Sequence, residues 1–356
     1  MAWESVHTQR NLRGATRGIG YKAWWQLPAL PKINVGNAEA REHLLQAADF
    51  WIRFGADGWR LDVPEEIDDE SFWQEFRTRV RAINPEAYTV GEIWKRADAW
   101  LTGDRFDAVM NYPLTEAILG YAGSGRLARD LGDHNDTYKR PELDAAQFAE
   151  KLTEIMGWYH PATTAVQLNL LGSHDTPRLR SIVGGSAAAA QLATLVQLAL
   201  PGAPCIYYGD ELGALGANDP ANRGPFPVDL ASVGAEAMAF RAFVRGAVAA
   251  RHEHAVLRAG ALRVAHAEGP VLVLERSADP VGFEGVPLPL APGAARRLIV
   301  ATNTSDSLAR VQLHVDGVSS VTRLDWDGVT GAASLASDGS VVIELPPVSG
   351  AIFQLR

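Results

Sequence analysis

Cysteine is almost absent from these 356 residues; the single one, Cys205, lies inside an apolar run. One thiol excludes a disulfide framework and a cysteine-based zinc site. Positive charge is also in deficit: 33 Lys and Arg face 42 Asp and Glu, for a formal net charge of −9. That balance argues against nucleic acid, which attracts basic stripes. No run reaches the roughly 18 apolar residues that a membrane span requires. Met1–Arg13 shows no apolar h-region of the secretory type. Together these absences predict a cytoplasmic protein with no nucleic acid and no membrane among its partners. A nucleotide-binding reading also fails, because Gly14, Gly18 and Gly20 open no helix that could cradle phosphate.

What is present is ordinary globular composition, 47% hydrophobic and 21% charged. The ten tryptophans fit two readings: indole faces stack on sugar rings, and Trp also simply fills cores.

Short apolar runs alternate with helical patterns through about residue 250. The runs are Gly58–Asp62, Tyr88–Ile93, Phe106–Asn111, Val166–Leu171 and Pro204–Tyr208, each ending in polar or glycine-containing sequence. Helices are predicted over Ala38–Phe54, Ser71–Ile83, Ala145–Trp158, Ala187–Leu200 and Ala235–Arg251. In the first, Leu44, Leu45, Ala48, Trp51 and Ile52 form one apolar stripe; Asp68, Asp69 and Glu70 suit the positive end of the second. Strand–helix alternation at this spacing predicts parallel βα units. After about Val256 the period becomes two, with strands over Val271–Glu275, Arg297–Thr302, Val311–Val315, Val341–Leu345 and Ala351–Leu355. This predicts a separate antiparallel β-sandwich of about 100 residues.

Polar residues gather where the parallel strands end. The first run finishes Arg60-Leu61-Asp62, the second Gly91-Glu92, and the fourth leads into Ser173-His174-Asp175. In a parallel barrel those ends converge on one face, where such enzymes keep their chemistry. Residues two apart on a strand share a side, so Arg60 and Asp62 point together. Each pair alone also fits a blander reading, an ion pair for Arg60–Asp62 and a helix cap for His174–Asp175. His252 and His254 flank a glutamate in a helix-end segment, where two-residue spacing points them apart and favours solvation over a metal site.

The segments GADGWRLDVPEEI, TVGEIW and NLLGSHDTPR resemble three signature regions of the α-amylase superfamily of glycoside hydrolases. The surrounding text, including YKAWWQLPALPKINVGN, FDAVMNYPLTEAIL and YYGDELGALGANDPANR, looks most like the neopullulanase, cyclomaltodextrinase and maltogenic amylase branch. The motifs stand in the family's order, 30 residues separating Asp62 from Glu92 and 83 separating Glu92 from Asp175. The resemblance implies Asp62 as nucleophile, Glu92 as general acid/base and Asp175 as the third carboxylate, which binds the sugar ring. Retention requires two carboxyl groups about 5–5.5 Å apart, one ionised and one protonated. Charge pairing with Arg60 favours the ionised nucleophile, and apolar neighbours of Glu92 favour its acid form. His174 would donate to sugar hydroxyls, Trp94 would form an aromatic platform, and Asp219 with Arg223 would hold sugars on the non-reducing side. Tyr207 and Tyr208 are expected to fill the barrel.

The implied fold is α/β: a partial (β/α)8 TIM barrel, about strands 4–8 with their helices, followed by an all-β antiparallel sandwich. Residues 1–20 are left unassigned, 21–256 form the C-terminal part of the barrel, and 257–356 form the sandwich. The family's first three strands would precede Tyr21, and with them its first signature motif; Asp133-His134-Asn135, in a loop-like stretch, is no substitute. An open five-stranded sheet leaves edges unpaired. The expectation is therefore that a second chain completes the barrel, or that this chain alone turns over weakly or not at all. The implied activity is hydrolysis of α-1,4 and also α-1,6 glucosidic bonds in cyclomaltodextrin, pullulan or starch oligosaccharides. The alternatives are an α-glucosidase or trehalose-forming glucosyl transferase of the same superfamily, and a non-catalytic carbohydrate-binding remnant. No organic cofactor is implied; calcium is common in the superfamily, but the sequence offers no convincing ligand set.

Overall fold

The computed structural model describes residues 20–131 and 140–356. The Asp133-His134-Asn135 cluster lies outside the described residues, as do residues 1–19. Contacts divide the chain into two compact units, one comprising residues up to Ile93 with Ala97–Val109, the other Trp94–Arg96 with Met110–Arg356.

In the first unit, helix α1 (Ala38–Phe54) starts at Asn37, whose side chain accepts from the Ala40 amide, and ends at Gly55 in the left-handed region. Helix α2 (Glu70–Ile83) is capped by Asp69, which accepts from the Phe72 amide. Strands β1 (Gly58–Leu61), β2 (Tyr88–Gly91) and β3 (Ala108–Val109) form a parallel sheet in that order. At Gly58 a side chain is impossible, since a Cβ would stand 1.9 Å from the Tyr88 carbonyl oxygen. Leu45, Ala48, Ile52, Phe72, Trp73, Phe76, Val80 and Phe106 form the core. One expectation fails here. Trp51 is 49% exposed and sits with exposed Phe50 and Phe54, so the buried stripe of α1 is narrower than the sequence pattern indicates.

The second unit contains helices α3 (Tyr112–Ala122), α4 (Ala145–Met156) and the short α5 (Pro161–Thr164). Strand β4 (Leu168–Leu170) pairs in parallel with β5 (Ala203–Cys205), and Met110 bridges to Leu168, also in parallel. Helices α6 (Leu179–Ile182) and α7 (Ala187–Ala199) lie between these strands in sequence, and α8 (Ala235–Glu253) and α9 (Ala255–Ala259) follow.

The chain then turns to antiparallel pairing. Strands β6 (Gly260–Glu268), β7 (Val271–Gly282), β8 (Arg297–Asn303), β9 (Ala309–Leu313), β10 (Val321–Arg323), β11 (Ala332–Leu335), β12 (Val341–Leu345) and β13 (Ser349–Leu355) form two sheets, of order β10-β13-β8-β7-β6 and β11-β12-β9. Val273, Ile299 and Phe353 from one sheet share a core with Val311, Leu313 and Ile343 from the other. The change of period near residue 256 falls within the second unit, and hydrogen bonds cross it. Tyr121 Oη lies 2.8 Å from Thr302 Oγ1, and Arg276 on β7 donates to the carbonyl of Leu257 at 2.9 Å.

Candidate active site

Two groups of predicted site residues take shape, one in each unit. In the first unit, Arg60 on β1 and Asp62 just beyond it project to one side. Arg60 Nη1 donates to Asp62 Oδ1 at 2.7 Å, and Nη2 reaches Glu92 Oε1 at 3.0 Å. One guanidinium thus spans two carboxylates from neighbouring strand ends, using the fork geometry that only Arg provides. The carboxylates differ in environment: Asp62 is exposed, while Glu92 is 4% exposed. Glu92 has more than apolar neighbours. Besides the guanidinium, its Oε2 accepts from the Val63 amide at 3.1 Å. Val63 reaches that position with φ of 29°, a region that a β-branched residue rarely adopts. Strain of this kind persists where surrounding structure over-determines it, and it clusters at working sites.

In the second unit, His174 and Asp175 follow β4 in a tight turn. Ser173 N donates to Thr176 Oγ1 at 3.0 Å, and Asp175 N donates to Ser173 Oγ at 3.1 Å. The turn does not cap α6, which begins after Arg178 without a side-chain cap. His174 Nε2 lies 3.1 Å from Asp175 Oδ2, and Arg223 Nη2 lies 3.6 Å from Asp175 Oδ1. Arg223 Nε also lies 3.0 Å from Asp219 Oδ1, so Asp219, Arg223, His174 and Asp175 form one polar chain. Trp94, also in this unit, stacks on Tyr112 with ring centroids 3.6 Å apart and planes 5° apart. One face of the indole is therefore covered.

Three contributors escaped the sequence reading. Arg178, 3% exposed, packs against the rings of Tyr207 and Tyr208, 4.9 Å from each centroid, and beside Asp210 at 3.6 Å. The two tyrosines touch each other edge to face, with centroids 4.6 Å apart, and both contact this buried cation. Asp210 is pushed up to about 7 by burial, opposed by Arg178 and assisted by Glu211. Asn222, fully buried, is the third. The available signal was an Arg at the end of HDTPR and an Asn inside GANDPANR, neither of which has an obvious partner nearby in sequence.

His252 is exposed and His254 half-buried. Among the described residues no group of three His, Cys, Asp or Glu side chains could hold a metal ion. Among the same residues no helix is long and apolar enough to cross a membrane.

A family model described as "Alpha amylase, catalytic domain" matches residues 3–252. The match begins inside the segment to which the sequence reading assigned nothing. A cyclomaltodextrinase from Geobacillus thermopakistaniensis is 44% identical over 204 residues, covering 57% of this chain and 32% of that protein. Neopullulanase 2 from Thermoactinomyces vulgaris is 42% identical over 200 residues, covering 56% of this chain and 31% of its own length. The chain thus spans about a third of these relatives. Among solved structures, the native form of a debranching enzyme from Nostoc punctiforme superposes with a TM-score of 0.82 at 35% identity, covering 99% of this chain and 68% of that one.

Proposed function

Because the chain belongs to the alpha-amylase family of glycoside hydrolases, we propose that it cleaves α-1,4 glucosidic bonds, with α-1,6 as a second linkage, by a retaining double displacement. The substrates proposed are cyclomaltodextrin, pullulan and starch oligosaccharides, the first two being the compounds for which its relatives are named. The observation that carries this reading is the single Arg60 guanidinium holding Asp62 and Glu92 together.

Retention requires two carboxyl groups about 5–5.5 Å apart, a spacing that one guanidinium can span. Asp62, open to solvent, takes the nucleophile's part and attacks the anomeric carbon. Buried Glu92 takes the acid's part and passes a proton to the leaving oxygen; it then accepts one from the water that releases the glycosyl–Asp62 ester. Glu92 Oε2 accepts from the Val63 amide, and Oε1 faces the Arg60 guanidinium at 3.0 Å. Its acid role therefore requires one of the two contacts to open when sugar binds. Asp175, with His174, is assigned to the sugar ring by the motif resemblance, and Asp219, Arg223 and Trp94 to flanking sugars. The chemistry draws on no organic cofactor.

The parallel strands are, in this proposal, about the fourth to eighth strands of a (β/α)8 barrel spanning residues 21–256. Residues 257–356 are the antiparallel sandwich, supported by the core shared between the two sheets. Residence in the cytoplasm belongs to the same proposal, and cell fractionation tests it.

The test is maltose release from cyclomaltodextrin and pullulan by the purified chain, slow turnover being expected where no second chain completes the barrel, with the anomer of the first product read by NMR. Asp62→Asn and Glu92→Gln should each abolish release, and the first product should be the α-anomer. Activity surviving in Asp62→Asn, or a β-anomer, would overturn the assignment.

A further inference from the structure

Asn222 stands apart from its neighbours on the three-residue turn Ala221–Arg223: both are exposed, whereas Asn222 is fully buried. Its side-chain Nδ2 donates to the carbonyl oxygens of His174 at 2.7 Å and Thr176 at 2.9 Å. The two acceptors lie on either side of Asp175. The peptide joining His174 to Asp175 is thus held at both ends, its oxygen by Asn222 and its N–H by Ser173 Oγ. Arg223 adds a third donor, Nε to the His174 carbonyl at 3.0 Å.

The amide can take only one orientation. Turning it over would set Oδ1 against two carbonyl oxygens, so Nδ2 must face them. Oδ1 consequently has no hydrogen-bond partner among the described residues, although it is buried. A buried unpaired acceptor is unfavourable. Its retention is explained if the two donated bonds do something an apolar side chain could not. The loop carrying Asn222 is itself anchored. Arg178 N donates to the Gly216 carbonyl at 3.0 Å, and Tyr208 Oη donates to the Gly224 carbonyl at 3.0 Å. A Cβ on Gly216 would stand 2.6 Å from the Ala221 carbonyl oxygen, so the loop closes tightly on itself.

We propose that Asn222 is a positioning residue that fixes the backbone on both sides of Asp175 and so sets where that carboxylate meets the sugar ring. This rests on the assignment of Asp175 to the ring. Asn222 touches no reacting atom; it acts through the turn, and a small displacement of a positioned group is enough to lower turnover on the order of a hundredfold.

The test compares the parent chain with Asn222→Asp, which keeps the volume but faces both carbonyls with acceptors, and with Asn222→Ala. Amide hydrogen exchange is read over residues 173–176 and over β7 and β8, beside kcat and KM on maltotriose. Faster exchange confined to 173–176, with a fall in kcat of about tenfold to a hundredfold and KM within about twofold, supports the proposal. Unchanged exchange at 173–176 overturns it. So does an equal rise in β7 and β8 in both variants, which would make Asn222 a stability residue only. A kcat equal to the parent's overturns it as well. If the parent releases no product from any α-glucan, the proposed function fails, and local exchange alone decides the clamp.

Discussion

At the scale of single residues, the Arg60 fork concentrates the argument about chemistry. Arg60→Lys keeps the charge but replaces two fixed N–H directions with one point charge, which cannot hold Asp62 and Glu92 at once. We expect kcat/KM on cyclomaltodextrin to fall on the order of a hundredfold with little change in melting temperature; a loss under about threefold would show that the fork is not needed. Asp210 gives a second residue-scale outcome, through pH. Its carboxyl, pushed up to about 7 by burial, holds a proton in the folded chain at pH values where the unfolded chain has lost it. Its contribution to stability is thus present below the ordinary carboxylate range near 4 and is lost as pH rises to about 7. Between pH 4.5 and 8 the parent should lose on the order of 3 kcal/mol more than Asp210→Asn, which carries no such proton. Urea titrations at the two pH values measure this, and parallel losses would count against it. The sequence pointed to Arg60, Asp62 and Glu92 as candidates because strand alternation and motif order bear on each position locally. It concealed Arg178, Asp210 and Asn222 because their partners lie far along the chain or are backbone carbonyls, which leave no trace in residue type.

At the scale of elements, the end of α7 shows how helices and sheet are joined. Its last carbonyls and those just beyond have no helical partners. Arg251 donates to the carbonyls of Leu198 at 2.7 Å, Leu200 at 2.9 Å and Gly202 at 2.7 Å. Arg276, fully buried, donates to those of Ala199, Leu257 and Gly260. Two cations beside a helix C-terminus suit its dipole, although burial and then their mutual repulsion hold the Arg276 guanidinium below its ordinary range. Arg276→Met would take the side-chain donor from the Ala199 and Gly260 carbonyls, that of Leu257 keeping Arg251, while removing one buried charge, for a net loss of about 2–4 kcal/mol. Arg310→Met, removing an exposed guanidinium 3.7 Å from the exposed Glu344 carboxylate, should cost under about 1 kcal/mol. Equal losses in urea unfolding would show that the carbonyl cap is unimportant. Elements with a one-sided apolar stripe, such as α2 and α4, were legible in advance. Helix α3 was not, because it is buried nearly all round and offers no stripe. Its readable sign was Asn111 followed by Pro113, a cap and an N-terminal proline. Strands β10 and β11, of three and four residues, are too short for alternation to register.

At the scale of the whole molecule, the two units are stabilised by different means. In the first, α1 and α2 are tied by ion pairs: Arg79 to Asp49 at 2.6 Å and Glu42 at 2.7 Å, and Arg41 to Glu75 at 2.7 Å and Asp69 at 3.1 Å. Helix α2 is tied to the sheet by Arg77 and Arg81, which hold Asp107 at 2.8 and 2.7 Å. Burial would raise Asp107, but the bonds from Arg77 and Thr89 outweigh it and leave the carboxyl below its usual range; Asp69 is lowered first by Ser71. The β-sheets of the second unit share a core of aliphatic side chains, Phe353 and Trp326, which titrate nowhere. Carboxyls held low contribute stability above their ordinary range near 4 and lose it as pH falls through their folded values. Asp210, in the second unit, works in the opposite sense and adds stability as pH falls from 7 toward 4. Acid should therefore open the first unit while the second still holds. Amide exchange, corrected for its intrinsic pH dependence, should quicken over β2 and α2 between pH 4.5 and 3, while β7 and β8 remain protected. Molar salt at pH 7 should weaken the exposed Arg79–Glu42 pair more than the shielded Arg77–Asp107 pair, and so produce a smaller change than acid. If β2 and β7 lose protection at the same pH and to the same degree, the division of labour between ion pairs and apolar core is wrong.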